Sequence, residues 1–169
     1  MTLPPTDIRI TVQAEDFDLA AEMSAMRRAD HGIGAMAAFV GLVRDLNLAD
    51  DVTALELEHY PGMTERALRT ICDEAAVRWP LHAVRIIHRV GQLHPGDQIV
   101  LVLTASAHRH AAYESNAFVM DYLKTRAPFW KKEWTRDGPR WIEARESDQS
   151  AAVRWHDIVA HTYGNPEHD

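Results

Sequence analysis

At 169 residues with 46% hydrophobic content, the chain can bury one substantial core, so one domain over residues 1–155 is expected, followed by a partly flexible tail, 156–169. A net charge of −7 argues against general nucleic-acid binding, and the single cysteine, Cys72, excludes an internal disulfide or a thiolate metal cluster within the chain. Met1 to Arg9 does not resemble an export signal, and no apolar run approaches the roughly 18 residues of a spanning helix, so a cytoplasmic protein without membrane contact is expected.

Ile8 to Val12 alternates as a short strand. Asp16 or Asp18 caps a helix running to about Arg28, with Leu19, Met23 and Met26 at helical spacing. His31-Gly32-Ile33-Gly34 breaks it. Ala35 to Arg44 reads as a strand, Asp45 to Asp51 as a polar turn, and Thr53 to Tyr60 as a second, alternating strand. After Pro61-Gly62, Thr64 is placed as the N-cap of a helix carrying Leu68, Ile71, Ala75 and Trp79, stopped by Pro80. Cys72 falls inside this pattern as a small core residue.

Val84 to Val90 and Gln98 to Ala105 are strand-like runs joined through Gly91 to Asp97, whose Pro95-Gly96-Asp97 has turn chemistry. A helix from about His110 carries Ala111, Phe118, Val119, Tyr122 and Leu123 on one stripe and ends at Pro128. Phe129 to Thr135 and Arg140 to Arg145 read as strands around Asp137-Gly138-Pro139, and one more helix is placed after Ser147. The order β-α-β-β-α-β-β-α-β-β, with paired strands joined by tight turns, predicts an α+β fold with largely antiparallel sheets packed by helices. No glycine-rich phosphate loop is present.

Charge is distributed unevenly. Arg85 to Arg145 holds ten Lys/Arg against six Asp/Glu, a net +4 inside an acidic chain, which suggests a local anion site. Only three of the eighteen basic residues are lysine, Lys124, Lys131 and Lys132, all within nine positions. Only lysine readily loses its proton or acts as a nucleophile, so a titrating amine is one reading of this cluster. For Lys124 the passive reading, a cation complementing a helix C-terminus, stands beside it. Lys124 near the helix end and Lys131 at the start of the next strand converge if Pro128 turns the chain sharply. Ser106-Ala107-His108-Arg109-His110, at a strand-to-helix junction, has donors suited to a phosphate or carboxylate. Arg44 stands at a strand exit. The ten histidines show no metal-ligand spacing, and no metal or cofactor is expected.

His59-Tyr60-Pro61-Gly62-Met63-Thr64, Arg89-Val90-Gly91 through Pro95-Gly96-Asp97, Ser106-Ala107-His108-Arg109, Asp121 to Lys131, and Arg140-Trp141-Ile142-Glu143-Ala144-Arg145 together resemble the large, catalytic subunit of the molybdopterin synthase family. The resemblance runs from about Gly34 to Trp155. It implies an α/β hammerhead-type fold and a homodimer of large subunits, flanked in a heterotetramer by two small ubiquitin-like sulfur carriers. It also implies sulfur transfer from the carrier's C-terminal Gly-Gly thiocarboxylate to cyclic pyranopterin monophosphate, giving the molybdopterin dithiolene. The family's essential lysines fall on Lys124 and Lys131, and its substrate-contacting positions on Leu42, Val43, Arg44, His108, Arg109, Lys132, Glu133 and Arg145. Leu42 departs from the pattern, since the family often has lysine there. On this reading Lys131 is expected to act as general base or transient acyl acceptor and Lys124 to stabilise charge and shuttle protons, while Arg44, His108, Arg109 and Arg145 hold phosphate and pterin. Two rivals are a non-catalytic module gripping a phosphorylated ligand or a ubiquitin-like tail, and a metal-dependent hydrolase.

Overall fold

The computed structural model describes residues 3–47, 50–142 and 146–162. Along the chain come β1 (Asp7–Gln13), α1 (Leu19–Ala29), β2 (Ala35–Leu42), β3 (Leu46–Asn47), β4 (Asp50–His59), α2 (Met63–Arg78) and β5 (Leu81–Arg89). Then follow β6 (Gly91–Leu93), β7 (Gln98–Ser106), α3 (Arg109–Arg126), β8 (Phe129–Thr135), β9 (Gly138–Ile142) and α4 (Glu146–Thr162).

β7 shows why the core lies where it does. From Val100 to Ser106 every residue is buried, the signature of a strand covered on both faces. Val100 and Val102 face α2 and α3, while Leu101 and Leu103 face Phe17 and the methionines of α1. Antiparallel neighbours β5 and β2 flank it, and β1 joins β5 in parallel, giving the sheet order β1-β5-β7-β2. Asn116 of α3 donates from Nδ2 to the carbonyls of Ala37 at 3.0 Å and Val102 at 2.9 Å, fixing the helix across β2 and β7. Phe118 lies fully buried between Trp79, Tyr122 and Trp155, all edge-on. Trp155 brings α4 onto α3, donating from Nε1 to Asp121 Oδ2 at 2.7 Å. Helical backbone therefore crosses the domain boundary expected at residue 155.

The second sheet runs β3-β4-β8-β9, with β6 also on β4. The architecture is thus α+β, with mostly antiparallel pairing. Tight pairing of consecutive strands holds for β5 with β7 and for β8 with β9. It does not hold for β2 and β4, which part into different sheets. The expected polar turn instead contains β3, which folds back on β4 through Leu46↔Asp51 and Asn47↔Asp50. β6 likewise sits inside the expected connection Gly91–Asp97 and pairs Leu55 to Leu57.

Helix starts follow local chemistry. Asp18 caps α1, accepting from the Ala21 amide at 3.1 Å. In α2 the cap is Gly62, at φ +83°, with the Glu65 carboxylate accepting its amide at 2.6 Å. Thr64 is therefore not the N-cap. Its buried hydroxyl accepts from the Tyr60 amide and donates to the Pro128 carbonyl, each at 3.1 Å. That second bond ties the start of α2 to the corner between α3 and β8.

Gly34 donates its amide to the Ser106 carbonyl at 3.0 Å, and a Cβ there would overlap the Ala107 carbonyl oxygen. Backbone cannot yield as a flexible side chain does, so Gly34→Ala is expected to destabilise the fold by about 1–3 kcal/mol. An unchanged urea midpoint for this variant would contradict the close approach.

Candidate active site

The two sheets, the end of α3 and the start of α4 enclose a cavity of about 540 Å³. Its walls come from Phe39 to Arg44, from Val52, His88, Ile99 and Val100, and from Leu123, Lys124, Ala127 and Phe129. Leu55, Lys131, Glu133, Ile142 and Asp148 complete them. Lys124 stands exposed in the last turn of α3, and Lys131 half-buried as the third residue of β8. The Ala127–Pro128 corner turns the chain between them, closed by the Phe129 amide donating to the Ala127 carbonyl at 2.9 Å. Both lysines line this one cavity, so the proline corner brings them together.

Alternation along β8 decides which neighbours join them. Phe129, Lys131 and Glu133 pair with His59, Leu57 and Leu55 of β4 and share the cavity face. Lys132 faces the other way, its Nζ 5.2 Å from the Trp134 ring centroid and 5.3 Å from that of Trp141. Glu133 is buried and held by Arg140, with Nε at 3.2 Å and Nη2 at 3.0 Å from its Oε2. Leu42, Val43 and Arg44 line the far side. Val43 is a wall residue whose amide donates to the Asp97 carbonyl and whose carbonyl accepts from the Gly96 amide, at 2.9 and 2.8 Å.

His108 and Arg109 are exposed at the opposite end of α3. Fifteen residues at about 1.5 Å each separate Arg109 from Lys124, so they stand about 22 Å apart along the helix. Arg145 lies outside the described residues.

Among the wall residues that a reading of the sequence does not single out as a site are Phe39, His88 and Asp148. His88 left one trace, an imidazole directly after Ile86-Ile87 in the run Val84 to Val90. Its ring is buried, stacks on Phe129 at a centroid distance of 3.7 Å, and lies with Nδ1 2.8 Å from the Arg89 carbonyl. Burial above all pushes its pKa down to about 3, and the positive charges of Lys131 and Lys124 push the same way. Both ammonium groups thus act on one neutral imidazole.

This histidine makes stability depend on acid. The unfolded chain protonates it near pH 6.5, the folded chain only near pH 3. Protons then favour the unfolded state, so stability is full above pH 6.5 and falls as pH drops toward 3. His88→Phe is expected to flatten that part of the acid limb. Urea midpoints measured across this pH range check it, and identical acid slopes in both proteins would contradict it.

Cys72 is fully buried, and desolvation pushes its thiol up to about 12, which removes it as a nucleophile. Among the described residues, no group of three or more His, Cys, Asp or Glu side chains is placed to hold a metal ion. No helix among them is long and apolar enough to cross a membrane. What the cavity offers is two primary amines, an arginine at its edge and two carboxylates on partly apolar walls. Such a set binds anions and moves protons between amine and carboxylate.

A sequence model of the MoaE protein family matches residues 12–126. The molybdopterin synthase catalytic subunit of Vibrio cholerae is 58% identical over 149 residues, covering 88% of this chain and 99% of that relative. The molybdopterin biosynthesis MoaE protein of Burkholderia ambifaria superposes with a TM-score of 0.75 at 57% identity, over 90% of this chain and 99% of that one. A chain in the complex of subunits 1 and 2 of the molybdopterin-converting factor of Helicobacter pylori shares the fold. It is 20% identical, with a TM-score of 0.63 over 82% of this chain and 90% of that one.

Proposed function

We propose, since this chain belongs to the MoaE protein family, that it is the catalytic subunit of a molybdopterin synthase. It takes sulfur from a small ubiquitin-like carrier ending in a Gly-Gly thiocarboxylate and places it on cyclic pyranopterin monophosphate, in the cytoplasm. The observation that carries this reading is the meeting of Lys124 and Lys131 in one cavity of a chain whose only thiol is inert. Sulfur must then arrive on a partner, and both reactants are anions, which a basic cavity attracts.

In this scheme the thiocarboxylate sulfur bonds to a substrate carbon as a carbon–oxygen bond at that carbon breaks, the oxygen leaving with a proton as water or as the freed phosphate oxygen, and a thioester joins carrier and pterin. Water, or first the Lys131 amine and then water, takes the acyl carbon. The carrier leaves as a carboxylate and the thiol stays on the pterin. Lys131 serves as base or acyl acceptor, Lys124 stabilises the developing charge and returns protons, and Arg44 holds phosphate. Glu133 keeps Arg140 in place and acts on β8 through it.

His108 and Arg109 cannot reach the Lys124 cavity of their own chain. They serve the same substrate only if a second copy presents its α3 start, which makes the working unit a homodimer of large subunits flanked by two carriers. An equal mixture of Lys131→Arg and Arg109→Ala chains, each nearly inactive alone, is then expected to recover about a quarter of the wild-type rate through random two-fold pairing. A mixture no more active than its parts would exclude the shared site.

The direct test incubates the chain with thiocarboxylated carrier and cyclic pyranopterin monophosphate and looks for dithiolene product. Product formation at catalytic amounts of chain is expected. Tight carrier binding without product would instead favour a non-catalytic module.

A further inference from the structure

His88 is used by nothing in the scheme above, yet it is the most constrained polar group of the cavity. It is 3% exposed, and what remains open borders the cavity. The Arg89 carbonyl can only accept, so the hydrogen bond at 2.8 Å puts the ring proton on Nδ1 and leaves a lone pair on Nε2. No side chain among the described residues meets Nε2. Yet no buried side-chain nitrogen or oxygen among them lacks a hydrogen-bond partner, so Nε2 is the atom that opens onto the cavity. The Phe129 ring, stacked at 3.7 Å and 16°, fixes the direction in which it points.

We propose that Nε2 of His88 accepts a hydrogen bond from an amide-type N–H of the molecule that enters this cavity. The inference rests on the function proposed above. Lys124, Lys131 and Arg44 can only donate, Glu133 is engaged by Arg140, and the other carboxylate on the walls, Asp148, comes from α4 rather than from the sheet that carries His88. A neutral acceptor deep in a cationic cavity is the complement of an N–H that the cations would repel. Two molecules of the proposed reaction carry such a group: the backbone amides of the carrier's Gly-Gly end, and the ring N–H and amino groups of the pterin. Burial, with Lys124, Lys131 and His59 around it, keeps the imidazole uncharged, so the acceptor is present throughout the neutral range. His88 is on this account a substrate-positioning residue, neither base nor nucleophile.

The test uses the full chain labelled with nitrogen-15 at histidine and two probes, a peptide ending in Gly-Gly as the plain carboxylate and a tetrahydropterin. Calorimetry reads binding, and the nitrogen spectrum reads His88. The free protein is expected to show an unprotonated Nε2, whose signal moves toward the hydrogen-bonded range when one probe binds. The probe that moves it identifies the source of the N–H. His88→Phe, which keeps a ring on Phe129, is expected to bind that probe about three- to tenfold more weakly. His88→Gln, which returns an acceptor oxygen near Nε2, restores much of the affinity. If a probe binds and Nε2 stays still with both, this inference falls and the proposed function stands. If neither probe binds at all, both fall.

Discussion

Replacing Lys131 with arginine is expected to slow single-turnover sulfur transfer by at least about a hundredfold, the low end of what a positioned acid–base group contributes. Arginine keeps the positive charge, so attraction of the thiocarboxylate and phosphate survives. It does not give up its proton at any working pH, and its guanidinium is a poor acyl acceptor. Lys131 is half-buried between Phe129 and Glu133 on the cavity face of β8. Lys124→Arg should act in the same direction. The measurement pairs the rate with the thermal midpoint and the carrier Kd of each variant. Rates equal to wild type in folded, carrier-bound variants would show that no titrating amine is needed.

The largest effect on stability is expected at Phe118. Its ring is fully buried, meets Trp79 at 5.3 Å, Tyr122 at 4.7 Å and Trp155 at 5.5 Å, and carries the Arg78 guanidinium 4.6 Å above it. Truncation to alanine removes a ring from the cluster through which the end of α2, α3 and α4 meet, so neighbouring rings cannot collapse without shifting helices. Phe118→Ala is expected to destabilise by about 3–5 kcal/mol. A loss below about 1 kcal/mol in urea unfolding would mean that α4 packs less firmly than described. Because α4 also brings Asp148 to the cavity, the variant should weaken substrate binding at temperatures where it remains folded.

Much of this was legible in the residues. The apolar run of β7 announced a strand, though not its central place, and the stripe of Phe118, Val119, Tyr122 and Leu123 announced a helix. The Pro128 corner between Lys124 and Lys131 announced a meeting of amines. Partition of the strands was not legible, because alternation says which face is apolar and nothing about which neighbour it joins. Hence β2 and β4 looked like partners, while β3 and β6, at two and three residues, lie below any periodic signal. The opposite facing of Lys131 and Lys132 follows from strand alternation alone once Phe129 is taken as the first residue of β8. His108 and Arg109 were grouped with the lysines by the family resemblance, which says nothing of which copy supplies them, and the length of α3 keeps them apart within one chain. His88 stayed hidden because β5 also carries His82, Arg85 and Arg89, and one more polar residue in such a strand has no distinguishing signal until its second nitrogen is seen to face open space.

With only three lysines in the chain, the amines that meet the carrier can be mapped directly. Activating the carrier's C-terminal carboxyl in the presence of this protein, then locating the new amide bond by mass spectrometry, should place it on Lys131 or Lys124. An amide on Lys132, which stands between Trp134 and Trp141 on the far face of the sheet, or on no lysine at all, would contradict a cavity in which both amines receive that tail.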